Sequence, residues 1–195
     1  MSAPAPASLE DALVRVATDA VLRRGVIAGD PEARGSLGLE ASALSALLGI
    51  PEQALERFAS ALLSKRWQEF LAVVPLTLRA CPSLGVRYRC WLGAHPARLS
   101  NGLLAPGEAE ALRALPALSA ELHADEAEAP WVADVLAWEA FFAASRRDRE
   151  PRFLRSRWAL HAVIDDLRQG LLPLDPSSCR EWIRFDRDGA RWRRA

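Results

Sequence analysis

The feature that most constrains the fold is a change in the spacing of apolar residues near residue 150. Up to about residue 145, apolar side chains recur every three or four positions, as on the buried face of an α-helix. Beyond that point, residues 152–157 (RFLRSR) and the C-terminal EWIRFD alternate apolar and polar side chains, which is typical of strands with one buried face. The sequence therefore predicts a mainly α-helical protein, in which an N-terminal helical bundle precedes a small α+β C-terminal domain with a short antiparallel sheet.

The longest helical pattern begins at Pro51, whose fixed φ suits the first turn of a helix. Leu55, Phe58 and Leu62 share its apolar stripe, and Pro75 is expected to end or kink the helix. Shorter helices are predicted elsewhere, with loops at residues 25–38 and 97–107. These helices cover residues 9–24, 39–48, 84–92, 108–115, 118–123 and 131–145.

The C-terminus carries the signal of a β-hairpin. Asp188 and Gly189 stand between two alternating arms, and this dipeptide favours a tight turn. Amphipathic aromatic residues and arginines are mixed on the arms, as at many protein interfaces. We take six residues as a candidate peptide-binding site: Trp182, Arg184, Phe185, Arg191, Trp192 and Arg193. The alternative is that the hairpin only packs on the last helix.

An acidic stretch, residues 123–130, is the predicted linker between a helical domain at residues 1–125 and a domain at residues 130–195 that contains a helix and the sheet. Charge divides in a similar way. Residues 146–195 contain 13 arginines and 8 acidic residues, a net charge of +5, while the remainder of this neutral chain has a net charge of −5. The basic end is therefore expected to attract an acidic partner.

Common catalytic and cofactor motifs are absent from the sequence. It has no Gly-rich phosphate loop, paired CxxC, HExxH or nucleophile elbow, so we expect no cofactor and do not favour a stand-alone enzyme. His161 and Asp165 would share a helix face, and Cys90 and His95 lie close in sequence, but neither pair provides the four ligands of a closed zinc site. No bound metal is therefore predicted.

The sequence also gives an expected location. Cys81, Cys90 and Cys179 are an odd number at irregular spacing, which favours free thiols over disulfides. The chain has neither a signal-peptide pattern nor an apolar run long enough to cross a membrane. We therefore expect a cytoplasmic protein that does not bind a membrane.

The order of segments resembles a known bacterial family. The segments are LERFASALLSKRWQEFLAVVPLTLRA, YRCWLGAHP and PWVADVLAWEAFF, followed by a short basic β-tail. They resemble the helical partner subunits of multinuclear non-haem iron oxidases in ribosomal-peptide biosynthesis of the methanobactin type. The resemblance covers roughly residues 50–195. It implies that the C-terminal sheet holds a precursor peptide and that the chain forms a heterodimer with an oxidase.

The sequence thus predicts a non-catalytic subunit that recognises a precursor peptide and associates with a metal-dependent modifying enzyme. Two alternative functions, from other classes of protein, remain open. One is a regulator that binds nucleic acid through its Arg-rich tail, which overall neutrality disfavours. The other is an enzyme that uses His161 with Asp165 or Glu139, which the missing motifs disfavour.

Overall fold

The computed structural model describes residues 8–95, 97, 99–100, 103–104, 107–147, 151–173, 176–186 and 189–194 of the chain. These residues form a mainly helical protein with a small antiparallel sheet toward the C-terminus, so the predicted fold class is confirmed. No helix in the described part of the chain combines the length and apolar composition that a membrane crossing needs.

Ten helices are present among the described residues. They are α1 (Leu9–Thr18), α2 (Ala20–Ala28), α3 (Pro31–Ser36), α4 (Ala41–Leu48), α5 (Glu52–Val73), α6 (Pro75–Ala80), α7 (Ser83–Ala94), α8 (Gly107–Ala124), α9 (Val132–Arg147) and α10 (Leu160–Gln169). The strands are β1 (Leu99–Ser100), β2 (Leu103–Leu104), β3 (Arg152–Trp158), β4 (Ser178–Asp186) and β5 (Gly189–Arg194).

The single helix predicted for residues 9–24 is in fact two helices that meet at Asp19. The Asp19 side chain accepts hydrogen bonds of 2.9 Å from the backbone N–H groups of Val21 and Leu22, and so caps α2. The chain then continues past Gly25 to Gly29, which has a φ of +85° and ends α2. A helix, α3, follows in the predicted loop, because Asp30 caps it and Pro31 starts it.

The two short helices predicted around Pro116 are one continuous helix, α8. Proline removes one backbone donor and disfavours the turn before it, which is why the sequence suggested a break. The helix persists because the flanking turns have buried faces, with Ala114 and Leu118 both fully buried. The predicted loop at 97–107 also contains a two-residue antiparallel ladder between β1 and β2.

By contacts, the described chain divides into two compact units. The first comprises Met1–Trp67 and Cys90–Gly107, and the second comprises Gln68–Arg89 and Glu108–Ala195. The predicted division into domains at residues 1–125 and 130–195 stays a prediction. Each unit has its own apolar centre: Val16, Val26, Leu37 and Leu47 are buried together in the first, and Phe70 stacks on Tyr88 in the second.

Helix α5 confirms part of the predicted apolar stripe. Leu55 and Leu62 are buried, whereas Phe58 is 36% exposed. The stripe is therefore narrower than the pattern suggested, and Phe58 lies at its edge.

The acidic segment that was predicted as a linker is tied to the second unit. Arg87 of α7 forms an ion pair with Asp125 and lies 3.9 Å from Glu128, and the Ser83 hydroxyl donates to Glu128 at 2.7 Å. Partial burial beside these acids does not make Arg87 lose its proton. Instead, the hydrogen bond to Asp125 raises the pKa of Arg87 and lowers that of Asp125.

The C-terminal sheet has the strand order β3-β4-β5, and both neighbouring pairs are antiparallel. Asp186 pairs with Gly189, so β4 and β5 form the predicted hairpin, and Gly189 has a φ of +125°. Asp188, the other residue predicted for the turn, lies outside the described residues. Helix α9 packs against all three strands.

Candidate functional site

The C-terminal sheet has one covered face and one open face. Along β4, Ile183 and Phe185 are fully buried, while Trp182 is 46% exposed and Arg184 is also exposed. This pattern follows from the period of a strand, in which successive side chains point to opposite faces. The strand register extends this alternation of buried and exposed side chains to β5, because Ile183 pairs with Trp192, and Arg184 pairs with Arg191.

Two of the six predicted site residues belong to the covered face. Phe185 meets Trp138 and Phe141 of α9 edge-on, with ring centroids 6.3 Å and 5.8 Å apart. Trp192 stacks on Trp138 at 6.4 Å and meets His161 of α10 edge-on at 6.1 Å. For Phe185 and Trp192 the hairpin therefore packs on helices, as the alternative interpretation proposed.

The other four predicted residues, Trp182, Arg184, Arg191 and Arg193, belong to the open face by strand parity, and the residue positions of all four are exposed. The sequence placed six residues in one site, but a two-residue period divides them between two faces.

The open face is strongly basic. From β3 it also receives Phe153, which is 59% exposed, and Arg155, whose guanidinium lies 5.6 Å from the centre of the Trp182 ring. The carboxylate of Asp186 lies between two arginines, 3.7 Å from Arg184 and 3.6 Å from Arg191. These pairs are partly exposed, so solvent screens them and they contribute little to stability.

The two edges of the sheet differ. On β3, the Asp134 carboxylate of α9 accepts hydrogen bonds from the Ser156 hydroxyl at 2.7 Å and from the Arg157 backbone N–H at 3.4 Å. At the other edge, β5 has β4 as its one strand neighbour within the described chain. Alternate backbone groups of an edge strand point away from the sheet and can pair with another strand.

A cavity of about 530 Å³ opens beside β5 on the covered face. Its lining combines four aromatic rings, one of them the His161 imidazole, with charged groups: Trp138, Phe142, His161, Asp165, Arg168, Glu181, Ala190 and Trp192. The guanidinium of Arg168 lies 5.5 Å from the centre of the Trp138 ring. Trp138 also has a buried indole N–H for which the described residues provide no acceptor, so a ligand that supplied one would offset part of the cost of that burial.

Glu181 is the buried acid of this cavity. Its carboxylate bonds the Nδ1 atom of His161 and accepts the His161 backbone N–H at 3.3 Å. The sequence offers Asp165 as a partner of His161 only in a disfavoured alternative, and the Asp165 carboxylate lies 3.5 Å from Arg168. Helical spacing could suggest the first pairing, but only the packing of β4 against the start of α10 places Glu181 beside the histidine.

Glu139, the other acid considered for catalysis, binds the start of α6. Its carboxylate accepts hydrogen bonds from the backbone N–H groups of Leu76 at 2.7 Å and Thr77 at 2.9 Å, and from the Thr77 hydroxyl at 2.5 Å. Burial raises the pKa of Glu139 to about 7, although these hydrogen bonds oppose the increase. The group thus satisfies backbone donors that α6 leaves unpaired at its N-terminus.

Within the described residues, no three His, Cys, Asp or Glu side chains come together as a metal site would require. Cys81, Cys90 and Cys179 are free thiols. His95 is not paired with Cys90 but stacks on Trp91, with ring centroids 4.2 Å apart. The absence of a bound metal stays a prediction, which elemental analysis of the purified protein tests.

Comparison of the chain with protein-family models, curated proteins and solved structures gives no significant match. The basis for a function is therefore the chemistry of the sheet, its free edge and the cavity beside it.

Proposed function

We propose that this chain is a non-catalytic recognition subunit that binds an extended peptide by strand addition at β5. The peptide is a precursor that a metal-dependent enzyme modifies, and a non-haem iron oxidase is the partner that the sequence resemblance suggests. On this proposal the complex works in the cytoplasm, and the partner supplies the reaction chemistry. The observation that carries the proposal is the position of β5, an edge strand between a basic face and an aromatic cavity.

The length of β5 suits this role. Its six residues span roughly 20 Å when extended, enough for a short peptide to form several backbone hydrogen bonds. In strand addition, these bonds provide affinity that depends little on sequence. The opposite edge, on β3, is less suitable because Asp134 already occupies a backbone donor there.

Side chains on the two faces of β5 would provide specificity. A peptide strand beside β5 alternates its side chains, so every second one would lie near Arg191 and Arg193 on the open face. The intervening side chains would lie on the other face, beside the cavity that Ala190 and Trp192 help to line. The preferred peptide therefore alternates acidic and apolar or aromatic residues.

The test uses a synthetic eight-residue peptide that alternates glutamate and phenylalanine, titrated calorimetrically into the full chain. Two further peptides carry N-methyl groups on alternate amides, in opposite phases. Strand addition predicts that one phase abolishes binding and the other preserves it, because only alternate amides face the sheet. Equal binding of the two methylated peptides, or no binding of the parent peptide, would contradict the proposal.

Charge is tested separately. A peptide with glutamine in place of glutamate should bind less tightly, and Arg191→Gln with Arg193→Gln should remove most of that difference. Arg57→Gln is the matched control, because this exposed arginine of α5 lines neither the sheet nor the cavity beside β5. Truncation of Trp192 would be less informative, since its ring also packs on Trp138.

A second candidate function is the binding of single-stranded nucleic acid. It is favoured by the exposure of Phe153 and Trp182 among arginines on the open face, since bases stack on aromatic rings in basic grooves. A labelled oligothymidine should then bind with an affinity that falls steeply as salt rises. Loss of this binding in Phe153→Ala would separate it from peptide capture at β5.

A further inference from the structure

A concave region at the end of the sheet away from the β4–β5 turn has a different chemistry. It has a volume of about 750 Å³ and is lined by Arg155 and Arg157 of β3 and by Ser178, Cys179 and Arg180 of β4. Three of these five residues are arginines and none is acidic. We call this region the arginine cleft.

An irregularity in the sheet shapes the arginine cleft. Ser156 pairs with Glu181 and Trp158 pairs with Ser178, so one residue of β3, Arg157, faces two residues of β4, Cys179 and Arg180. This is the arrangement of a β-bulge, which bends a strand and redirects its side chains. The bulge therefore contributes to the meeting of arginines from two strands.

The guanidinium groups of the cleft have no acidic partner among the described residues. Other arginines have acidic neighbours, such as Asp125 for Arg87 and Asp186 for Arg184. Within the described chain, no ion pair involves Arg155, Arg157 or Arg180. Of the described acids on adjacent elements, Asp134 accepts from the Ser156 hydroxyl and the Arg157 backbone N–H, and Glu181 binds His161.

One of the three guanidinium groups is also held in place. Arg155 lies over the Trp182 ring, and this cation–π contact restricts a side chain that would otherwise be mobile. A restrained guanidinium loses less entropy when it binds an anion, and its planar fork suits oxygen atoms of carboxylate or phosphate groups. The ring serves here as a support for Arg155.

Three positive charges in one cleft match a compact anion of charge −2 better than a single carboxylate. A phosphate monoester is such an ion, since its second pKa is about 6 and it offers three terminal oxygens. The Ser178 hydroxyl can donate a further hydrogen bond. We propose that the arginine cleft is a binding site for the phosphate-monoester group of a ligand, separate from the β5 edge and independent of peptide capture.

The test follows the arginine Nε–H signals by nuclear magnetic resonance during titration with inorganic phosphate at constant ionic strength. The proposal predicts saturable shifts for Arg155, Arg157 and Arg180, and stronger binding at pH 7.5, where inorganic phosphate is mostly the dianion, than at pH 5.5, where it is almost entirely the monoanion. Dimethyl phosphate, which carries one charge, should bind much more weakly. Phosphoserine and adenosine 5′-monophosphate then distinguish a phosphorylated side chain from a nucleotide as the source.

The variant Arg155→Gln should weaken phosphate binding about tenfold, as expected for loss of a charge-assisted contact. Arg57→Gln, at an exposed position on α5, is the matched control and should leave the affinity unchanged, and the amide spectrum of each variant checks its fold. The proposal is overturned if the shifts fail to saturate, if dimethyl phosphate binds equally well, or if arginines across the open face respond alike. None of these results depends on peptide binding at β5.

Discussion

Glu139 makes the stability of the second unit depend on pH, and the sign of that dependence follows from its surroundings. Burial raises the pKa of this carboxyl from 4.5 to about 7 in the folded protein. Between these values the native state binds more protons than the unfolded state, so the free energy of unfolding falls as pH rises. Protonation of the Glu139 carboxyl therefore stabilises the folded protein fully below about pH 4.5. This contribution is lost as the pH rises through 7.

The magnitude is set by the difference between the two pKa values. A difference of roughly 2.5 units corresponds to about 3–4 kcal/mol, because one unit is about 1.4 kcal/mol. The assay is urea unfolding of the full chain, followed by tryptophan fluorescence at several pH values from 5 to 8. The wild type should lose most of this stability over that range.

The variant Glu139→Gln isolates the effect. Its amide oxygen can still accept from the start of α6, but it has no proton to gain or lose, so its stability should vary less with pH than that of the wild type. Asp165→Asn, at an exposed position on α10, is the control and should follow the wild type. Parallel curves for wild type and Glu139→Gln would refute the reasoning, since the two proteins differ only at this side chain.

Three further predictions concern packing and caps. Phe185→Ala should lower the free energy of unfolding by about 3–5 kcal/mol because the ring is fully buried. Trp182→Ala, at an exposed position on the same strand, should lower it by less than about 1 kcal/mol, and chemical denaturation compares the two variants. Leu62→Ala should cost about 2–5 kcal/mol, and Leu63→Ala, at a position 40% exposed, much less, which thermal unfolding can measure. Asp19→Ala should cost about 1 kcal/mol and increase hydrogen exchange at Val21 and Leu22, because it removes the cap of α2.

Several features of the fold were predictable because they depend on residues close in sequence. Pro51 and Gly49 mark the boundary between α4 and α5, and the apolar spacing of residues 131–145 predicts α9. The break at Asp19 was equally local, but the apolar period continues across it, and that continuity concealed the cap. Pro116 misled in the opposite direction, since burial of α8 outweighs its local preference.

The candidate site was only partly predictable. Alternation in EWIRFD indicated that Trp182 and Phe185 have opposite orientations, yet the sequence could not show which face the helices cover. His161 of α10 illustrates the same limit, because its partner Glu181 is 20 residues away on strand β4. The arginine cleft depends on a bulge between two strands that are separated by a helix, and no local pattern indicates it.

By itself, then, the sequence determined the classes of the elements, most of their positions and the basic character of the C-terminal end. These properties follow from periodicity, caps and composition, which act over a few residues. Only the tertiary structure decided that β4 is central, that β5 is an edge, that Glu139 binds α6 and that three arginines gather without an acidic partner among the described residues. Those outcomes depend on which distant surfaces bury each other, because the free energy of burial belongs to a pair of packed surfaces and is not encoded in either segment alone.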